Sequence, residues 1–293
     1  MARQSSSRRF LATAVSATAL LLSAPIAAED SQPAALPWSA GPGTAPIGDD
    51  LAEIEVPEGY VFLDAEGTKK LMELTQNPLT GKEMATIAPA AQDENWFVVF
   101  EYDAVGYVKD DEKNQLDAEA MLTSIREGTE VANKEREERG WAPLEIVRWQ
   151  EQPHYDERTN NLSWAIVGHS DAGGDNVNKI VKVLGRRGVM TVTLVAAPQE
   201  LASAGPRVDT LLDGYHYKHG STYAEYVPDT DKLAEYGLTA LVVGGAGAAL
   251  VQSGLLAKLW KPIALGIAAL GGAVKRMLFG GRKAETSLEG PIA

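Results

Sequence analysis

The chain has 293 residues, of which 45% are hydrophobic and 23% charged, a composition typical of a folded globular protein. It contains no cysteine, which excludes disulfides, thiol catalysis, thiolate metal sites and cysteine lipidation. The net charge of −13 is unevenly distributed: residues 29–257 hold 18 basic and 38 acidic residues, and a region with a net charge of −20 repels nucleic-acid phosphates.

The N-terminus has the pattern of an export signal. Three arginines within the first nine residues precede an uncharged, moderately apolar stretch from Phe10 to Ser23, and small residues follow up to Ala28. Residues 1–28 are therefore predicted to be a signal peptide. The pair Arg8-Arg9 leaves two export routes open, the ordinary secretory route and the twin-arginine route.

The segment 29–50 is rich in Pro, Ala and Gly and has no periodicity, so we expect a flexible leader there. An extracytoplasmic domain is predicted to follow over residues 51–237. Its first elements are a helix over Glu66–Thr75, which ends before a breaker pair, and a strand over Trp96–Tyr102. A long helix follows, with Asp117 as its N-cap and Gly140 beyond its C-terminus.

The second half of the domain reads as a run of strands. Their close spacing predicts an antiparallel meander made of Leu144–Gln150, Leu162–Ser170, Val177–Leu184 and Val189–Ala196. A helix over Pro198–Leu212 and a short strand over Tyr215–Lys218 complete the domain. The order of elements predicts an α+β fold in which helices pack on one face of an antiparallel sheet. Its layout over about residues 90–220 is similar to photosystem extrinsic-subunit-type domains.

The C-terminal part has the pattern of a membrane anchor. Residues 238–257 carry no charge and, as a helix, span about 30 Å, the thickness of the hydrocarbon layer. Basic residues follow, so the positive-inside rule places the tail 258–293 in the cytoplasm and the acidic domain outside, in the periplasm. Within the tail, 263–279 is expected to be an interfacial or kinked apolar helix, and a second span is the alternative.

Small residues suggest how the anchor packs. Ala240, Gly244 and Ala248 form a stripe on one side of the predicted helix, which permits close contact between two helices. The predicted partners are therefore the lipid bilayer and either a second copy of the chain or another envelope protein.

Seven stretches resemble a known family, namely Trp96–Tyr102, Gly106–Val108, Asp110–Glu112, Pro153–Asp156, Asn161–Ala165, Leu184–Met190 and Asp231–Gly237. The family is an uncharacterised one of predicted membrane-anchored bacterial proteins, the domain of unknown function 2167. The resemblance covers nearly everything after residue 50. It implies the same topology and brings no activity, cofactor or catalytic residue.

Candidate site residues are few. His154 and Asp156 lie close together in a turn-rich segment and are the candidates for a hydrolytic site. Arg186 and Arg187 lie in a turn between two glycines and are the candidates for binding an anion or an acidic partner. The alternative for the second pair is an ordinary hairpin turn whose glycines supply positive φ angles.

The sequence lacks the patterns typical of several kinds of functional site. There is no Gly-x-Ser-x-Gly motif, no spacing of an EF-hand and no phosphate-binding loop in the domain. His216 and His219, three residues apart on a strand, are expected to face opposite sides, so we predict no metal site and no cofactor.

Three hypotheses for the function follow. The leading one is a membrane-anchored, non-enzymatic domain that binds a partner or organises the envelope. The alternatives are an envelope hydrolase with a site near His154 and Asp156, and a carrier of a small or lipid-like molecule, which requires an apolar cavity.

Overall fold

The computed structural model describes residues 36–91, 93–243 and 286–287. This part of the chain contains twelve strands and four α-helices. The strands are β1 (Ser39–Ala40), β2 (Gly43–Ile47), β3 (Ala52–Val56), β4 (Tyr60–Leu63), β5 (Glu83–Pro89), β6 (Phe97–Asp103), β7 (Glu145–Asp156), β8 (Asn161–Ser170), β9 (Gly174–Leu184), β10 (Val189–Ala196), β11 (Tyr215–Tyr217) and β12 (Thr286–Ser287). The helices are α1 (Ala65–Leu74), α2 (Ala118–Glu138), α3 (Leu201–Asp213) and α4 (Leu238–Val243), and a 3₁₀ turn covers Tyr223–Glu225.

The strands form a nine-stranded sheet in the order β12-β1-β4-β5-β6-β10-β9-β8-β7 and a three-stranded sheet in the order β11-β3-β2. All pairs are antiparallel except β1 with β12. The predicted meander is confirmed, because β7, β8, β9 and β10 are successive neighbours. Strand β6, formed much earlier in the chain, pairs with β10 in the middle of the sheet.

One side of the large sheet, which we call the α2 face, is covered by α1 and α2. Helix α1 packs on β4 and β5, where Leu71 and Met72 join a core cluster with Val99. Helix α2 packs on β7 and β8, where Met121 and Ile125 contact the second cluster. The two helices meet at their C-terminal ends, where the Arg136 guanidinium donates to the carbonyl of Gln76.

The other side, the α3 face, is covered by α3 and by the small sheet. Leu201, Ala204, Val208 and Leu211 of α3 lie in the largest core cluster, together with alternate residues of β6, β8, β9 and β10. The prediction of an α+β fold with an antiparallel sheet is confirmed. The prediction that helices cover one face is wrong, because β10 and β6 are buried on both sides and the sheet therefore needs a layer on each.

The local signals that predicted α1 and α2 are present in the structure. The Asp117 carboxylate accepts hydrogen bonds from the backbone N–H groups of Glu119 and Ala120 at 3.1 and 3.0 Å, which satisfies the free donors of the first turn of α2. Gly140 has a φ of +70° beyond the helix end. Asp64 caps α1 in the same way, through the N–H of Gly67.

The segment predicted to be a flexible leader contains ordered structure from Leu36 onward. Strands β1 and β2 lie within it, and Trp38, Ala45 and Ile47 are buried. The Pro and Gly content suggested an irregular segment. However, β2 pairs along its whole length with β3, whose sequence alternates buried Ala52, Ile54 and Val56 with exposed glutamates. The ordered domain therefore begins earlier than residue 51.

The described residues include only the start of the predicted anchor. Helix α4 is buried against α2, and Leu238 and Leu241 belong to the second core cluster. Over residues 36–91 and 93–243, none of the helices has the length and apolar character needed to cross a membrane. The signal peptide and most of the predicted anchor and tail, including Gly244, Ala248 and 263–279, lie outside the described residues.

The turn between β9 and β10 differs from the predicted alternative, a hairpin turn whose glycines have positive φ angles. Neither Gly185 nor Gly188 is among the glycines with positive φ. Instead, both lie against other atoms: a Cβ on Gly185 would lie 2.7 Å from the ring of Tyr217, and one on Gly188 would overlap the carbonyl oxygen of Asp103. Close approach of neighbouring chain segments, rather than turn conformation, requires glycine at these two positions.

We therefore predict that Gly188→Ala lowers the free energy of unfolding by about 2 kcal/mol, since an added methyl group must push the β6 backbone away. The matched control is Gly205→Ala, within α3, where no atom outside its chain neighbours and its own helix backbone lies within 4 Å of an added Cβ. That substitution is expected to change stability by less than about 1 kcal/mol, because the gain in helix propensity is offset by contact of the new methyl group with the ring of Pro206. Chemical denaturation measures both changes, and a neutral Gly188→Ala variant would contradict the close-contact explanation.

Candidate functional site

An open cleft lies on the α3 face, where the ends of β7, β8 and β9 meet α3 and β11. Its volume is about 610 Å³. It gathers polar and charged side chains from segments that are distant in sequence, and few apolar ones. The lining residues are His154, Asp156, Arg158, Thr159, Asn161, Ser163, Lys179, Val181, Val183, Asp209, Leu212, Asp213, Tyr215 and His216.

The hairpin between β7 and β8 builds one wall. The Asp156 carboxylate accepts hydrogen bonds from the backbone N–H of Arg158 at 2.9 Å and from the hydroxyl of Thr159 at 3.0 Å. These contacts, the backbone bond from Arg158 first, lower the pKa of Asp156. Asn160 completes the turn with a φ of +55°. Asp156 therefore stabilises the turn as an anion and is not arranged to take up a proton.

Strand register brings His154 opposite Ser163. The two residues are cross-strand partners in the β7–β8 pair, and both line the cleft. Side chains at such positions have Cβ atoms about 5 Å apart on the same face. Among the described residues, however, the His154 side chain has no hydrogen-bond partner, so no third group orients the imidazole toward the Ser163 hydroxyl.

Helix α3 builds the opposite wall. Asp209 and Asp213 lie one turn apart near its C-terminus, where the helix dipole places partial negative charge. The Lys179 ammonium group from β9 reaches Asp209 at 2.9 Å, and its side chain is only 13% exposed. Asp213 has no ion-pair or hydrogen-bond partner within the described part of the chain.

The two cationic side chains of the cleft are thus both close to aspartates. Lys179 pairs with Asp209, and the Arg158 guanidinium lies 3.5 Å from Asp156. Asp213 and the end of α3 are left without a neutralising charge. The Oδ1 atom of Asn161 is buried without a hydrogen-bond partner in the described residues. Three aspartates thus share the cleft with two cationic side chains, and the Arg158 guanidinium keeps donors that no described group accepts.

The structure places the predicted hydrolytic pair, His154 and Asp156, in this cleft and adds His216 of β11 to it. Sequence reasoning missed Lys179, Asp209 and Asp213. Their presence depends on how α3 packs across the sheet. The one sequence signal available was the pair of aspartates spaced four residues apart at the end of a predicted helix.

The other predicted pair lies elsewhere. The Arg186 guanidinium makes two hydrogen bonds to the Asp231 carboxylate, at 2.6 and 3.0 Å, and a third to the carbonyl of Gly220 at 3.4 Å. This ion pair raises the pKa of Arg186 and lowers the pKa of Asp231. Arg186 therefore already has its anionic partner within the chain. Arg187 is exposed beside it.

The Arg186–Asp231 pair fastens a segment that we call the strap, residues 218–237, between β11 and α4. The strap also pairs with the loop after β6, where the N–H of Tyr107 donates to the carbonyl of Lys232 at 2.8 Å. The ring of Tyr107 stacks on the rings of Tyr223 and Tyr226, at centroid distances of 4.5 and 4.0 Å. The strap thus holds the segment that leads into α4 against the domain.

The remaining histidines have acidic neighbours outside the cleft. His169 lies 2.6 Å from Asp175 and 3.6 Å from Asp171, and the hydrogen bond with Asp175 contributes most to raising its pKa. His219 contacts Glu225 at 2.5 Å. Among the residues that the structure describes, no group of three histidine, aspartate or glutamate side chains is arranged to hold a metal ion.

Fold and site together define an α+β domain, layered on both faces of an antiparallel sheet, with a polar cleft at one end of the meander. The chain belongs to the family described as "Protein of unknown function (DUF2167)", whose model matches residues 39–274. The matched region includes every residue that lines the cleft. No curated protein matches the chain.

Among solved structures, the chain is similar to the solution structure of cyanobacterial PsbP (CyanoP) from Synechocystis sp. PCC 6803. The two are 10% identical, the match covers 62% of this chain and 93% of that one, and the TM-score is 0.37. A similarity at this level does not establish a common fold. The description of the fold therefore depends on the strand order itself.

Proposed function

We propose that this protein is an extracytoplasmic, membrane-tethered binding domain whose cleft holds a ligand bearing a positively charged amine. The observation that carries the proposal is the balance of polar groups in the cleft. Both cationic side chains lie beside aspartates, while the Asp213 carboxylate and Asn161 Oδ1 have no hydrogen-bond partner in the described residues.

An ammonium group suits this arrangement. It carries three donors and a unit charge, so it can bond to the Asp213 carboxylate and interact favourably with the helix C-terminus. The imidazole rings of His154 and His216 add further hydrogen-bonding groups to the cleft wall. An anionic ligand would meet three aspartates, of which only two lie beside a cation. The polar lining also disfavours a lipid-like ligand.

The proposed location is supported by the two ends of the sequence. An arginine-rich, then apolar, N-terminus is typical of an export signal, and the uncharged stretch 238–257 has the length of a membrane span. Its first six residues, however, form α4 and pack in the core of the domain. The basic residues that follow favour a cytoplasmic tail. The pairing of Thr286–Ser287 with β1 is an observation against this part of the proposal, because it requires that stretch of the tail to lie on the same side as the domain. Of the predicted stripe, Ala240 is buried within the domain, so we propose that a contact of the tether with another envelope protein or a second copy uses Gly244 and Ala248.

A second candidate function is hydrolysis, favoured by one observation. His154 lies directly opposite Ser163 in the strand register, and both line the cleft. A serine beside a histidine is the minimal pair for nucleophilic catalysis. The pair lacks an orienting third group in the described residues, and Asp156 already bonds to its own turn. We therefore place binding first.

We expect the full-length protein in detergent to bind the diamine cadaverine, measured by calorimetry at low salt, and to bind citrate much more weakly. Asp213→Asn should weaken cadaverine binding by up to about fivefold, because Asp213 is exposed and an ion pair at an exposed position contributes about 0.2–1 kcal/mol. Higher salt should also weaken it, since the cleft is open to solvent.

The matched control is Glu127→Gln, which removes one negative charge from an exposed position on α2, away from the cleft. It should bind cadaverine like the unchanged protein. Equal losses in both variants would mean that the amine responds only to overall charge, and preference for citrate would overturn the proposed ligand class.

For the location, we expect external protease to digest the main domain when added to cells whose outer layer has been opened, and to leave a short C-terminal fragment. A tag at the C-terminus identifies that fragment. Lysed cells serve as the control, because there the tail is exposed as well. A domain that survives in opened cells and is digested only after lysis would contradict the proposed orientation.

Hydrolysis is tested by labelling with a fluorophosphonate, which reacts with activated serines. If the second candidate is right, Ser163 is labelled, and both Ser163→Ala and His154→Ala abolish labelling, because the serine needs a base to lose its proton. Absence of label on Ser163 in the unchanged protein would exclude this candidate and leave the binding proposal intact.

A further inference from the structure

Two buried glutamates face each other on the α2 face of the sheet, away from the cleft. Glu83 of β5 and Glu101 of β6 are register partners, and they are 3% and 5% exposed. Like charges directly opposite each other on neighbouring strands are destabilising, and burial increases the cost. Two ionised carboxylates are therefore an unfavourable state of this site.

A single hydroxyl group lies between the two side chains. Thr80 Oγ1 is 2.9 Å from Glu83 Oε1 and 2.7 Å from Glu101 Oε1. The same oxygen accepts a hydrogen bond from the backbone N–H of Lys82 at 3.2 Å. A threonine hydroxyl has one hydrogen, so it can donate to only one of the two carboxylates. The second short contact needs another proton.

We propose that Glu83, Thr80 and Glu101 form a site that binds one proton, and that this proton fastens the loop 75–82 to the sheet. Glu83 Oε1 also accepts the backbone N–H of Thr80 at 2.5 Å, so Glu83 is the ionised member. Glu101 is then the acid and donates its proton to Thr80 Oγ1, and the Thr80 hydroxyl donates to Glu83.

The surroundings of the pair agree with this assignment. Burial raises the pKa of Glu101 to about 7. The hydrogen bond that Thr80 can donate to an ionised Glu101 and the charge of Lys182 oppose this increase only in part. Lys182 donates to Thr191, which lies between Lys182 and Glu101 in the register.

Two further charges face the site and largely cancel. Lys82 adds a positive charge near Glu101, and its ammonium group is paired with Asp103 at 2.5 Å. The remaining Glu83 atom, Oε2, is buried with no hydrogen-bond partner in the described residues. Two other cations act on the pair: Lys182, which bonds to Thr191, and Lys69 of α1, which pairs with Glu66 at 2.7 Å. Neither makes an ion pair with Glu83 or Glu101 in the described residues, so two ionised carboxylates would lack a directly bonded cation.

Loss of the proton has a local consequence. The loop 75–82 connects α1 to β5, and Thr80 is bonded to both glutamates through its side chain and backbone. With both glutamates ionised, one hydroxyl hydrogen serves two carboxylates that repel each other. The loop is then held less firmly, and the packing of α1 on β5 loosens with it.

The test is stability against pH in the full chain. Because the pKa of Glu101 is raised in the folded state, its contribution is fully present below the ordinary glutamate range and is lost as pH rises through about 7. Between the ordinary glutamate pKa and about pH 7, the unfolding equilibrium constant of the unchanged protein should increase by up to about tenfold per pH unit because of Glu101. Glu101→Gln should lack this contribution to the slope.

Lys182 gives the opposite slope at higher pH. Burial lowers the pKa of Lys182 to about 8, so folded molecules hold fewer protons there than unfolded ones. Stability should therefore rise again above pH 8, which leaves a minimum between about pH 7 and pH 8. In Glu101→Gln, stability should still rise above pH 8, but it should not fall between the ordinary glutamate pKa and pH 7.

In Glu101→Gln the amide N–H donates to Thr80 Oγ1 at every pH, so the variant should fold and keep the loop closed. The matched control, Glu127→Gln on the exposed face of α2, should behave like the unchanged protein. Hydrogen exchange of the Thr80 and Lys82 amides, compared between variants at equal pH, reports the loop directly. Protection should fall above pH 7 only where Glu101 is present.

Infrared spectroscopy tests the proton itself and needs no variant. The unchanged protein should show the carbonyl stretch of a protonated carboxylic acid at pH 6 and lose it by pH 8. Absence of this band at pH 6 would overturn the proposal. So would equal pH slopes in Glu101→Gln and Glu127→Gln.

Discussion

The register of β8 between β7 and β9 is the constraint on which the described structure most depends. Side chains alternate along a strand, so β8 directs Leu162, Trp164 and Ile166 to the α2 face and Ser163, Ala165 and Val167 to the α3 face. A shift by one residue would bring the tryptophan into the cleft and bury the serine under α2. The core and the cleft are therefore specified by the same pairing.

The two faces of the sheet place polar groups in different ways. On the α3 face, the cleft is open and its charged groups are in contact with solvent. Solvent ions screen these charges, and a ligand can reach them. On the α2 face, Glu83, Glu101 and Lys182 lie between the areas packed by α1 and α2, where burial shifts the pKa values of Glu101 and Lys182 toward neutrality. The proposed ligand site and the proposed proton site are thus separated by the thickness of the sheet.

The strap holds the segment that precedes α4 in a fixed position on the domain. Arg186 and Asp231 join the turn after β9 to the strap, and Tyr107 joins the strap to the loop after β6. The Glu112 carboxylate accepts the N–H of Thr239 at 2.8 Å, at the start of α4. A domain tethered through its C-terminal segment would need such an attachment, because a loose connection would leave the position of the cleft relative to a membrane undetermined.

The sequence by itself determined the elements with strong local signals. The cap residue Asp117, the breaker pair after α1 and the close spacing of strands separated by turn residues are local properties. They predicted α1, α2 and the meander correctly. Tertiary structure alone decided that α3 covers the second face, that β6 lies beside β10, and that Asp209 and Asp213 face His154 across a cleft. It also decided that Arg186 pairs with Asp231, and that Glu83 and Glu101 meet at Thr80. These pairings join residues distant in sequence, and pattern and propensity carry no information about which distant segments will pack together.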